Sequence, residues 1–191
     1  LDFTRKLLLQ SSLSVEQLVR SELATAIAIA IDRAAIQGSG SGAEPRGILN
    51  TSGVGLVVGG TNGLAPSWSH VVELETTIAN ANAALGRLGY LTSSKVRGKL
   101  KNVQKAANLA FVWPDEGPQA DGLALLNGYA AGVSNNVPDN LTKGTSAGIC
   151  SAIIYGNWAD LLIGMWGGLD ILVDPYSQAN TGTVRVVAFQ D

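Results

Sequence analysis

Among 191 residues there is one cysteine, one histidine and one methionine, and each scarcity closes a route to function. A single Cys150 cannot form an intrachain disulfide, and with His70 as the only imidazole no cysteine–histidine zinc cluster can be built. Cys150 is read as a buried structural thiol. Charge is scarce as well: 15% of residues carry it, against about 25% in an average soluble domain, and Gly, Ala, Ser, Thr and Asn fill the gap. The formal net charge of −2 gives no general attraction to nucleic acid or to anionic membranes. No apolar run reaches the about 20 residues that a membrane span needs. In the longest helical pattern only Leu23 to Ile31 is free of charge, and no secretory signal is present. The expectation is a soluble protein, made in the cytoplasm, with no membrane contact, cofactor or metal.

Catalytic patterns are sparse. Gly144-Thr145-Ser146-Ala147-Gly148 matches G-x-S-x-G in letters, but a nucleophile elbow needs a strand before the serine and a helix after it. Here Asn140 to Lys143 precedes, a β-like Ile149 to Ile154 follows, and His70 lies upstream, where hydrolases of that fold place the base downstream. Gly38-Ser39-Gly40 with Ala43 imitates a dinucleotide fingerprint, yet it ends a helix and is read as a hinge or turn. Asp170 and Asp174 are two strand steps apart and could share a face, a pattern more common at an exposed edge than in an acid/base pair. Two glycosylation sequons, at Asn50 and Asn140, carry no weight in a protein that is not secreted. No catalytic residue is assigned, and the chain is read as not an enzyme.

What is present begins at Ser14. Ser14 and Gln17 have capping-box spacing, and Val15, Val19, Leu23, Ile27, Ile31 and Ala35 recur every four residues. The pattern predicts a helix over 15–37, roughly 35 Å long at 1.5 Å per residue, ended by Gly38, a residue tolerant of positive φ. Such a strut must lie along something extended. Gly38, Gly40, Gly42, Pro45 and Gly47 in the segment that follows are the candidate assembly or hinge residues. Leu56-Val57-Val58 is a short strand candidate, and Pro66-Ser67-Trp68-Ser69 opens a second helix with Val71, Leu74, Ile78, Ala81 and Leu85 as its apolar stripe. A strand near 87–91 leads to a third helix starting near Ser93 or Ser94. No acid occurs between Glu75 and Asp115, while Arg87, Lys95, Arg97, Lys99, Lys101 and Lys105 accumulate there. On that helix Lys95 and Lys99 share one face, as do Arg97, Lys101 and Lys105. The face could meet packaged DNA or an acidic neighbour, or it could be solvated opposite Val96, Leu100 and Val103. Leu109 to Trp113 is a short apolar run, 114–122 reads as loop, and strands are predicted near 129–134, 149–155, 161–164, 169–173 and 183–189.

These residues resemble the major capsid proteins of tailed bacteriophages, with the Hong Kong 97-like capsid fold. The resemblance rests first on the long helix, the glycine-rich Gly38 to Gly42 and then Pro45-Arg46-Gly47-Ile48-Leu49. It continues through Leu125-Leu126-Asn127-Gly128-Tyr129, Val133-Ser134 and Val137-Pro138, then Tyr155 to Trp158 and Leu161 to Ile171, to Thr183 to Phe189. It implies an α+β fold with a spine helix, a peripheral domain from 1–65 and 151–191, and an axial domain from 66–150. Leu1 to Lys6 looks like the strand leading into the spine, so the family's N-terminal arm and most of its extended loop are expected to lie outside this sequence. Crosslinking by an isopeptide bond is not expected. Beyond Asn180, the strand positions that could supply the acid are Val184, Val186 and Val187.

The implied function is structural: copies of the chain in pentamers and hexamers form the icosahedral head of a phage or prophage. Scaffolding, maturation protease and portal proteins are implied as partners, with packaged DNA contacted only non-specifically. A nanocompartment shell of the same fold class is the first alternative, and a small hydrolase using Ser146 the second.

Overall fold

The computed structural model describes residues 2–4, 6, 15–114, 123–168 and 170–189. Among the described residues the α-helices are α1 (Val15–Gln37), α2 (Trp68–Asn80) and α3 (Ser94–Lys101). The strands are β1 (Asp2–Thr4), β2 (Leu88–Thr92), β3 (Ala124–Leu126), β4 (Tyr129–Val133), β5 (Leu141–Lys143), β6 (Ser146–Cys150), β7 (Ile153–Asn157), β8 (Asp170–Asp174) and β9 (Thr183–Phe189). The predicted bounds of α1 and β9 are the observed ones. Ser14, half of the predicted capping box, and the loop from 115 to 122 lie outside the described residues.

The chain forms two compact units, residues 1–32 with 163–191, and residues 33–162. These divisions follow contact, whereas the boundaries after 65 and 150 are those that the resemblance implies. The first unit holds a three-stranded sheet in the order β1-β9-β8, antiparallel throughout, with Asp2 opposite Arg185 and Leu172 opposite Val187. Val184 and Val186 point to its buried side, and Val19 is the buried residue of α1 in this unit.

The second unit is built on a four-stranded sheet in the order β3-β4-β2-β7, in which β2 runs parallel to β4 and antiparallel to β7. Its main core joins Val71 of α2, Tyr90 of β2, Val96 and Leu100 of α3, Val112, Trp113, Leu126, Ala131 and Tyr155. A smaller cluster of Ile36, Val137 and Ile154 receives Ile48, Leu49 and Trp158. Helix starts follow local chemistry. Ser67 precedes α2 and shares a reciprocal capping box with His70, while the Ser93 hydroxyl accepts from the Val96 N–H at the start of α3.

Several expectations fail for identifiable reasons. Gly38 does end α1, but its φ is not positive. Glycine is needed there because a Cβ would run into the carbonyl oxygens of Pro45 and Ala34. Leu56 to Val58 form no strand; Leu56 is 73% exposed, and no strand lies beside them to complete a ladder. Helix α2 stops at Asn80, so Ala81 caps it and Leu85, 72% exposed, leaves the predicted stripe. The predicted strand 149–155 is two strands broken at Ser151-Ala152, and Leu161 to Gly164 are irregular and exposed. Leu109 to Trp113 make only an isolated bridge, Gln104 to Phe111, although Val112 and Trp113 are buried. Lys105 lies beyond the end of α3, so it does not share a helical face with Arg97 and Lys101. Cys150 is half-buried, not buried, on β6.

Candidate functional site

The segment after α1 closes back on the helix that it leaves. Gly38 N–H donates to Ala34 O at 2.8 Å, and Ser39 forms an antiparallel bridge with Arg46. Gly40 N–H donates to Pro45 O at 3.2 Å, and Gly47 N–H to Gly38 O at 2.9 Å. Between them Gly40 and Gly42 take φ values of 69° and 64°, which explains glycine at those two positions. At Gly47 the reason is proximity: a Cβ there would meet the backbone of Ile36, Gln37 and Gly38. Ser39 donates its hydroxyl to Glu44 at 2.5 Å, and this bond holds the exposed Glu44 carboxyl below its ordinary pKa.

One residue of this clamp is not signalled by the sequence pattern. The Asn50 amide donates to the carbonyls of Gln37, at 3.0 Å, and Gly38, at 2.9 Å, and so satisfies acceptors that a helix end leaves orphaned. Pro45 to Asn50 thus form a corner that fixes where the chain goes after the helix. Ile48 and Leu49 anchor it in the smaller core.

The basic residues separate by environment. Lys95 spends its ammonium on the carbonyls of Asp139, at 3.1 Å, and Ile149, at 3.0 Å. Lys105 sits 4.2 Å over the Trp68 ring. Arg97, Lys99 and Lys101 remain together on the exposed side of α3, whose other side is pinned by Val96 and Leu100.

Candidate chemistry elsewhere is tied into structure. Ser146 opens β6 one turn after β5, with Lys143 as its opposite residue, so a hairpin stands where a nucleophile elbow would need a helix. His70 Nδ1 accepts from the Ser67 N–H at 3.2 Å and lies 2.9 Å from the Ser67 hydroxyl, which commits it to the start of α2. Asp174 accepts from the N–H groups of Tyr176 and Ser177 and from the Ser177 hydroxyl, and is held below the usual carboxylate range; Asp170 is exposed. Among the described residues no cluster of His, Cys, Asp and Glu could hold a metal ion, and no helix is long and apolar enough to cross a membrane.

A tyrosine group within the second unit was not foreseen. Tyr90 stacks on Tyr155 at 4.3 Å, and Tyr129 meets Tyr155 edge-on at 5.4 Å. Tyr90 donates to Val71 O at 3.1 Å, and burial pushes its hydroxyl up to about 12. Tyr129 and Asn127 donate to the two oxygens of Glu75 at 2.8 and 2.6 Å. The Tyr155 hydroxyl is buried without a hydrogen-bond partner among the described residues, and burial raises its pKa strongly.

A long helix with a corner clamped to its end and two strand-rich units is the geometry to set beside known proteins. The model of the family described as "Phage capsid family" matches residues 1–191, and the chain belongs to that family. Membership gives it a structural role in the capsid and a place in the virion head. The sequence is 32% identical over 189 residues to the major capsid protein of Halomonas phage phiHAP-1, covering 98% of this chain but 28% of that protein. The fold matches the capsid of an empty GTA particle computed with C5 symmetry, with a TM-score of 0.70 and 22% identity over all of this chain and 64% of the other. The capsid of a native GTA particle matches with a TM-score of 0.64, 21% identity and 67% of that chain covered. The chain thus spans a little over a quarter of the phage relative and just under two thirds of the first GTA chain.

Proposed function

We propose that the complete protein assembles with copies of itself, in rings of five and six, into the icosahedral head of a tailed phage or prophage. The observation that carries this reading is the surface of α1. From Gln17 to Gln37, thirteen residues are exposed, among them Leu18 at 56% and Ile29 at 51%. A helix apolar on several sides requires cover on several sides, and copies of the chain are the natural source in a closed symmetric assembly.

In this reading α1 is a rib and residues 38–51 set the angle at which the chain leaves it. Residues 66–150 form the axial domain that meets its copies at ring centres, and 1–65 with 151–191 form the peripheral domain. The role is mechanical, not catalytic. Scaffolding, protease and portal proteins would act on the complete protein during assembly and maturation.

Negative-stain electron microscopy of the complete gene product, expressed with its genomic neighbours, tests the proposal. Uniform closed shells are the expected result. Nucleic acid inside them would favour a virion head over a nanocompartment, which would hold enzyme cargo. Small discrete oligomers with every neighbour present would sink the shell reading.

A further inference from the structure

We propose that Val54 to Val58 pair with the same residues of a second copy of this chain, as two antiparallel strands centred on Leu56. The proposal rests on the shell reading for its occupant, since a shell supplies copies of the chain as partners. The segment and its register go beyond that reading.

The segment is a strand without a sheet. Gly53 and Gly60 take φ values of 84° and 95°, and from Val54 to Gly59 the backbone runs with neither turn nor bend. Among the described residues, 53–59 neither donate nor accept a backbone hydrogen bond. Side chains of an extended chain alternate between two faces, and exposure follows that alternation. Val54, Leu56 and Val58 are each more than half exposed, whereas Val57 is half-buried. Gly55 is on the face turned to α2, where a Cβ would come within 2.5 Å of the Thr77 methyl group, so glycine lets the segment run close to the helix.

Residues 33–162 close a core of their own, and neither of its clusters includes Val54 to Val58. Cover for the three outward side chains therefore comes from outside the chain. An exposed apolar strand is a template for pairing, and strands that stay single are guarded by charge, proline or a bulge. Here no Asp, Glu, Lys or Arg occurs from Gly47 to Val72, and no proline between Pro45 and Pro66. The guards are missing where the apolar triad is exposed.

The sequence selects the occupant. Gly53-Val54-Gly55-Leu56-Val57-Val58-Gly59 reads almost the same in both directions about Leu56. Two copies set antiparallel around a two-fold axis at Leu56 bring Val54 of each opposite Val58 of the other, and Leu56 opposite Leu56. These apolar cross-strand pairs all fall on one face, and the same patch serves both subunits, as an isologous contact requires. With no charge from Gly47 to Val72, the two segments meet without repulsion, and a charged partner would find no counter-charge on them. A stable free-standing interface takes about 20–30 residues a side, so a pair of this length adds to the larger contacts of an assembly and does not make a dimer alone.

The test is disulfide trapping in the assembled complete protein, with Cys150→Ser and any further cysteine likewise replaced. Opposed residues of antiparallel strands lie about 4.5–5.5 Å apart at Cα, within the range that a disulfide spans. Leu56→Cys should therefore give linked dimers on mild oxidation, seen on non-reducing gels. In Val54→Cys the two thiols are offset by four residues, about 13 Å along the strand, and the yield of dimer should be lower by roughly tenfold or more. Adding Val58→Cys to Val54→Cys should restore it. Hydrogen exchange on the wild-type protein needs no variant: alternate amides of 54–58 should exchange at least roughly tenfold more slowly in shells than in the unassembled chain.

No dimer from Leu56→Cys, as much dimer from Val54→Cys alone, or amides at 54–58 that exchange equally fast in both states overturns the proposal. Shell formation is read separately by microscopy. Closed shells without the Leu56 link remove this pairing and leave the shell reading standing. Leu56-specific dimers from protein that forms only small oligomers remove the shell reading and leave the pairing.

Discussion

Residues 33–162 and the unit formed by 1–32 with 163–191 treat their apolar side chains differently. The first encloses Tyr90, Leu100, Leu126, Val71, Val112 and Val137 almost completely, under two helices and around a four-stranded sheet. The second buries Val19, Val184 and Val186 and leaves Ile29, Met165, Trp166, Leu172, Tyr176 and Phe189 in solvent. A shallow groove of about 460 Å3 lies between Leu23, Ala26, Ile27 and Ala30 of α1 and residues 185–188 of β9. One unit completes its own core, while the other presents the surface that an assembly would complete. Burying apolar area contributes about 25 cal/mol per Å2, so covering these exposed side chains would be favourable.

The largest expected effect breaks the self-sufficient side. Leu100→Ala empties a site with 0% exposure and should cost about 2–5 kcal/mol in urea unfolding of the isolated chain. A loss below about 1 kcal/mol would mean that this core is not closed as described. Next comes Gly47→Ala, where the added methyl meets the end of α1; overpacking of this kind costs about 1–3 kcal/mol. Hydrogen exchange should show protection falling at residues 34–38, and unchanged protection would argue against the clamp.

Ile29→Ser sharpens the other side. At 51% exposure the change should move stability of the isolated chain by no more than about 0.5 kcal/mol while lowering the yield of shells from the complete protein. Equal yields would show that this part of α1 faces solvent in the assembly too. The smallest effect concerns Asp174, whose carboxyl is held low chiefly by the Ser177 hydroxyl. A depressed folded value stabilises the fold above the unfolded value, and that contribution is lost as pH falls through the folded one. Ser177→Ala should bring the Asp174 titration, followed by NMR, back toward the ordinary carboxylate range. A titration that does not move would remove the Ser177 bond from the account.

Elements with both local chemistry and local length were legible in the sequence. The four-residue recurrence from Val15 to Ala35 gave α1, and Ser67 and Ser93 marked the starts of α2 and α3. Strands were less legible, because a strand exists only where another lies beside it. Leu56 to Val58 and Leu161 to Gly164 have strand-like letters and no ladder partner, whereas β3 and β5 are short and pair locally. A signal for β3 was available: Asn127-Gly128, with φ values of 53° and 82°, is the two-residue hairpin turn that places Leu126 opposite Tyr129. At the candidate site, Gly38 to Gly47 stood out by composition. Asn50 did not, since its role depends on the chain returning to the helix end, and the sorting of the cations depended on partners as distant in sequence as Ile149.

The pairing of β1 with β9 joins residues 2–4 to residues 183–185, so that sheet cannot close until almost the whole described chain has been made. At about 5–20 residues per second, synthesis of the intervening stretch takes roughly 10–40 s. During that interval residues 33–162 can fold from contacts already delivered, while the early helix waits for strands that do not yet exist. The sheet that joins residues 2–4 to 183–185 therefore closes only after residues 33–162 have been made, so the folding of one unit is ordered behind that of the other.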